Sequence, residues 1–82
     1  MQREELDSEL RQLKSLAAEQ ELFHEVIAAG HTNRRFVDGH AEFLHKTISE
    51  HAKKLSTATA APGLDSLLAR ARNLAAQLER TP

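Results

Sequence analysis

The chain has 82 residues and a net charge of −1; it is 40% apolar and has no cysteine, tryptophan or tyrosine. That length fits one small domain. The absent cysteines exclude disulfide staples, thiolate metal sites and cysteine nucleophiles, and the near-neutral charge argues against a dedicated nucleic-acid binder. Thirteen of the apolar residues are alanine, and only 19 beyond Met1 are larger. So lean a core implies marginal stability, or stability borrowed from a partner.

The first segment, from about Arg3 to Ala29, contains no proline or glycine and places Leu6, Leu10, Leu13, Ala17, Gln20, His24 and Ile27 three or four residues apart. This is the spacing of one helical face. Glu4, Glu5, Asp7 and Glu9 sit in the first turns, where carboxylates complement the helix dipole, and Gly30 stands where a left-handed residue closes a helix. Leu16 and Phe23 widen the face, whereas Leu22, Val26 and Ala29 point away from it. The carboxyl half of this helix is therefore expected to be covered from two sides, by the two other helices or by one helix and a partner protein. The charged amino terminus and the lack of any eighteen-residue apolar run predict neither a signal peptide nor a membrane span, so a cytoplasmic location is expected.

A second helix is expected over about residues 33 to 58, capped by Thr32 or Asn33. Val37, Ala41, Leu44, Ile48 and Leu55 form its stripe, flanked by Phe36, His40, Phe43, Thr47 and His51. The dipeptide Asp38-Gly39 is a turn signal inside it, and the helix is expected to continue through. Residues 59 to 63 read as a linker ending in Pro62-Gly63. A third helix over about residues 64 to 79 follows, with Leu64, Leu67, Leu68, Ala71, Leu74, Ala75 and Leu78 at heptad-like spacing over only two heptads. The short Gly30 connection makes the first two helices antiparallel neighbours, so the predicted fold is all-α, an antiparallel three-helix bundle built from a long hairpin and a shorter third helix in a single domain. Residues 1 to 30 carry seven acids and three bases, the remainder five acids and eight bases, so the two parts attract.

Four of the five histidines fall between His31 and His51. Folding about residues 30 and 31 sets positions summing to about 62 opposite one another, which places His24 near His40. His24, His40 and His51 are thus candidate metal ligands or pH-sensing groups, although no HExxH spacing is present and His45 points to the opposite side. Packing of their rings with local hydrogen bonding is the role expected first, ahead of either. Arg34 and Arg35, at a helix start, are candidate phosphate contacts, but Glu42 and Glu50 intersperse the bases and an acidic first helix offers them an internal partner. No nucleophile elbow or glycine-rich loop is present, no cofactor is implied, and a three-helix domain leaves little room for a pocket, so neither catalysis nor a small-molecule substrate is expected. The polar face of the first helix is acidic, the wrong sign for anionic lipid. The expectation is a non-catalytic interaction module, an adaptor, small chaperone, inhibitor or assembly subunit, presenting Leu22, Val26, Ala29, Phe36 and Phe43 to a protein partner or to a second copy.

Overall fold

An uninterrupted run of helix-compatible residues forms α1 (Arg3–Ala28), and two further amphipathic segments form α2 (Arg34–Ser56) and α3 (Asp65–Arg80). The computed structural model describes residues 1–30 and 33–81; His31, Thr32 and Pro82 lie outside the described residues. Among the described residues there is no strand, and the three helices pack on one another as an all-α three-helix bundle measuring 48 × 19 × 17 Å. Cross-helix contacts fix the directions. Near the start of α1, Glu9 meets His51 and Lys54 of α2, and toward its end Phe23 meets Phe36 and His40, so α1 and α2 run antiparallel. The backbone of Ala61 bonds to Met1, and Gln20 reaches Thr81, so α3 runs alongside α1 in the same direction.

Local chemistry sets each boundary. The Glu5 carboxylate accepts the backbone N–H of Gln2 at 3.4 Å, half of a capping box at the start of α1. Ala29 is the C-cap, and Gly30 follows with φ 72°, a left-handed conformation that glycine adopts without steric penalty. Asn33 caps α2 by accepting the backbone N–H of Phe36 at 2.8 Å. Between α2 and α3, the N–H of Leu64 bonds to the carbonyl of Ala61 across Pro62 and Gly63, with Gly63 at φ 84°. Proline followed by a positive-φ glycine is the signature of a type II turn. The Arg72 guanidinium donates to the carbonyls of Leu55 and Ala58 at 2.9 and 2.7 Å, so α3 supplies partners for the unsatisfied carboxyl end of α2.

α2 runs through Asp38-Gly39 without a break. A Cβ built on Gly39 meets nothing within 4 Å, so no packing requires glycine there. Gly39→Ala should therefore stabilise the protein by about 1 kcal/mol through helix propensity alone, visible as a higher thermal midpoint. An unchanged or lowered midpoint would show that the glycine has a task the fold does not reveal.

The core follows the stripes only in part. Leu6, Leu10, Leu13, Leu16 and Phe23 of α1, Leu44, Ile48 and Leu55 of α2, and Leu68, Ala71, Ala75 and Leu78 of α3 are buried. Met1, Ala58, Ala60, Leu64 and Leu67 pack against them and close the end of the bundle where the linker lies. The other end is open. His24, Ile27 and Ala41 were expected on buried stripes and are exposed, because α3 stops at Arg80, near the level of Gln20, and leaves the last two turns of α1 and the first turns of α2 as a two-helix projection. Of the two covers expected there, α2 supplies one and α3 does not reach far enough to supply the other. Among the described residues, the exposed large apolar side chains Leu22, Ile27 and Phe36 belong to this part of the hairpin, and Phe43 lies further along α2 beside Leu16 and Glu19.

Candidate functional site

Two surfaces flank the projecting hairpin. On one, Leu22 is 60%, Phe36 50% and Phe43 54% exposed. Phe36, His40 and Phe43 follow one another at helical spacing, so their rings line up along α2, with His40 parallel to Phe36 at 5.6 Å and near-parallel to Phe43 at 5.9 Å. The buried Phe23 ring from α1 meets His40 edge-on at 4.7 Å and Phe36 at 6.4 Å. Aromatic pairs at such separations are attractive in edge and offset geometry, so the array holds Phe36 in place though half its surface is bare. Leu22 and Val26 join Phe23, Phe36, His40 and Glu19 around a hollow of about 210 Å³. Of the five residues read from the sequence as a contact surface, Leu22, Val26 and Phe36 thus share one hollow and Phe43 extends it through His40. Ala29 is exposed at the end of α1 and is not part of its lining.

The second surface lies on the side that α3 occupies. Phe23, His24, Ile27, Val37, Ala41 and Leu44 line a groove of about 410 Å³, closed at one end by Leu78 of α3 and its C-cap Thr81. That is more space than a three-helix chain of this length was expected to leave, and the early stop of α3 creates it. His45, placed on the opposite side by sequence spacing, lines this groove with His24. His45 reaches it because the groove opens along α1 and α2 beyond the end of α3, so its rim takes in residues at the edge of the apolar stripe.

The candidate histidines separate. Phe23 takes the position against His40; His24 stands at the groove; His51 lies at the far end of the bundle, its Nδ1 2.6 Å from Glu9 Oε2. Among the described residues no group of three or more histidine, aspartate or glutamate side chains is placed to hold a metal ion. Arg34 pairs with Asp38 at 3.8 Å one turn along α2, both fully in solvent contact, and Arg35 is exposed beside it. Such an exposed pair adds little to stability and leaves both arginines available.

Sequence reasoning missed the polar centre of the bundle. Glu9, with 2% of its surface exposed, sits between Leu6 and Leu13 on the buried face of α1 and accepts from Lys54 Nζ at 2.6 Å while contacting His51. Burial pushes its carboxyl upward; hydrogen bonds and charge from Lys54 and His51 outweigh this and hold it below the ordinary carboxylate value. The same contact raises Lys54. A signal existed: Glu9 lies on the Leu6, Leu13, Leu16 face, and the hairpin register sets it opposite His51 and Lys54.

Comparison with protein-family models, curated proteins and solved structures finds no match for this chain. No helix among the described residues is long and apolar enough to cross a membrane.

Proposed function

We propose that this protein is a non-catalytic helical interaction module that docks a protein partner, or a second copy, on the aromatic flank of its hairpin. The observation that carries this reading is the array Phe36–His40–Phe43 beside Leu22, with three large apolar side chains at least half exposed on one surface of a chain short of core residues. Large apolar residues clustered on a surface cost free energy while they face water, and a helix laid into a shallow apolar groove covers them with few directional contacts. Glu19 at the edge of the hollow supplies a polar rim. An adaptor, a small chaperone, an inhibitor and an assembly subunit all work in this way.

Leu22→Gln combined with Phe43→Gln tests the reading. Both residues are exposed, so helicity and thermal midpoint should stay close to those of the parent. Self-association by sedimentation, or crosslinking to a partner in cell extract through a photoreactive group at position 36, should fall by at least about tenfold, the effect of removing two anchors of 1 kcal/mol or more. Retained association would sink the proposal, and so would unfolding of the double variant, since these positions would then belong to the core.

A further inference from the structure

The hollow on the aromatic flank selects what a docked protein must bring to it. We infer that it receives one arginine side chain of that protein, seated among Phe23, Phe36 and His40; this rests on the docking role proposed for the flank. The hollow holds about 210 Å³, room for one side chain, whereas sites for drug-sized ligands begin at roughly 300 Å³. Aromatic rings crowd its lining. Their centroids stand 4.7 Å (Phe23–His40), 5.6 Å (Phe36–His40) and 6.4 Å (Phe23–Phe36) apart, with Phe36 and His40 parallel to within 6° and Phe23 inclined at 61° and 60° to them. A cation seated among these rings can lie within about 6 Å of both phenylalanine centroids, the range over which such a ring attracts positive charge.

One carboxylate then decides the sign of the occupant. Apart from His40, Glu19 is the only ionisable residue in the lining; it is exposed, and among the described residues it has no ion pair. Arg11 borders the neighbouring hollow with Glu19 but stands eight residues away on α1, about 12 Å at 1.5 Å per residue. A leucine or phenylalanine anchor would strip water from the Glu19 carboxylate and leave it without a partner, which is costly. A guanidinium supplies that partner. Its planar fork bonds a carboxylate through two N–H groups, its face stacks on an aromatic ring, and it gives up water more readily than an ammonium, so arginine fits better than lysine. The hydrocarbon stem of the arginine covers Leu22 and Val26, which complete the lining.

The probes are two labelled amphipathic peptides of about two heptads, identical in leucine pattern, with glutamine at the outward positions and either arginine or its neutral isostere citrulline at one central position. At about pH 8, above the range in which histidine side chains charge, the arginine peptide should bind at roughly 10–100 µM and perturb the amides of Leu22, Val26, Phe36 and His40. The citrulline peptide should bind at least about tenfold more weakly. Glu19→Gln alters an exposed side chain that has no ion pair, so it should leave the thermal midpoint unchanged and bring the two peptides within about threefold of each other. Phe36→Leu keeps an apolar side chain but removes the ring, and should also narrow the gap. Equal binding of the two peptides to the parent overturns the inference. So does an arginine preference that survives Glu19→Gln, a set of perturbations confined to the groove on the α3 side, or no binding of either peptide at about 1 mM. The two failures are distinct: equal binding with Leu22 and Phe36 perturbed removes the arginine and keeps the docked helix, whereas association retained in the Leu22→Gln, Phe43→Gln variant removes both.

Discussion

Leu13→Ala should remove about 3 kcal/mol or more of the protein's stability, whereas Ile27→Ala should remove less than about 1 kcal/mol. Leu13 is 0% exposed, and α1, α2 and α3 all pack around it in the closed half of the bundle; Ile27 lies in the projecting hairpin, 39% exposed. Deleting a buried leucine loses its transfer free energy and leaves a cavity that the neighbours fill only partly. Domains of this size have roughly 4–12 kcal/mol in total, so the Leu13 variant forfeits a quarter or more of what holds the fold. At 4–8 °C per kcal/mol for small domains, its thermal midpoint should fall by more than about 10 °C. Denaturant melts of both variants check the contrast. Equal losses would mean that the hairpin end is as firmly packed as the other.

That contrast was half legible in the amino-acid sequence. Leu6, Leu10 and Leu13, like Leu68, Ala71, Ala75 and Leu78, repeat at helical spacing and are buried where spacing puts them. Spacing within one helix reports a face, but not how far along its length that face is covered. His24 and Ile27 continue the α1 stripe without interruption and are exposed solely because α3 is ten residues shorter than α1 and starts at the opposite end of the hairpin. The same limit hid the groove and misplaced His45. Gly39 shows the reverse case: Asp38-Gly39 is a turn signal, yet the helix passes through because Leu44 and Ile48 beyond it and Phe36 and His40 around it are held by contacts across the hairpin. Tertiary contacts outweigh a local propensity of about 1 kcal/mol. The exposed flank of Leu22, Val26, Phe36 and Phe43 was readable as apolar residues off the stripe. That His40 would bind the two phenylalanines into one array needed the ring geometry.

Lowering the pH below about 4.5 should destabilise the protein through Glu9, and Glu9→Gln should abolish most of that sensitivity. Glu9 has a folded-state pKa below its ordinary value of 4.5, held there against burial by Lys54 and His51. A depressed carboxyl contributes stability that is complete above its unfolded pKa and vanishes as pH falls through the folded one. Lys54 works at the other limit. Its pKa is raised above 10.5 by the same contact, so its contribution is complete below 10.5 and is lost as pH rises through the folded value. The two together predict a plateau between about pH 5 and 10 with a fall at each end, and the alkaline fall is the smaller because Lys54 is more than half exposed and screened by water. At pH 7 Glu9→Gln should cost about 1.5–3 kcal/mol, the worth of a hydrogen bond to a charged partner; Lys54→Met should flatten the alkaline limb and also weaken the acid limb, because Lys54 is one of the two groups that hold Glu9 low. Thermal midpoints for parent and variants from pH 3 to 11 decide the matter. The assignment fails if the Gln variant keeps the parent's acid limb, since carboxylates elsewhere on the surface would then carry it. Replacing the whole cluster by apolar residues is a different experiment: buried ion pairs commonly add little net stability over well-packed hydrocarbon. Glu9→Leu with His51→Leu should therefore recover stability lost in Glu9→Gln and lack the acid limb. What the charged cluster supplies beyond hydrocarbon is register, because sliding α2 by one turn along α1 would leave the buried Glu9 carboxylate without Lys54 and His51, a penalty that a leucine at the same place would not impose.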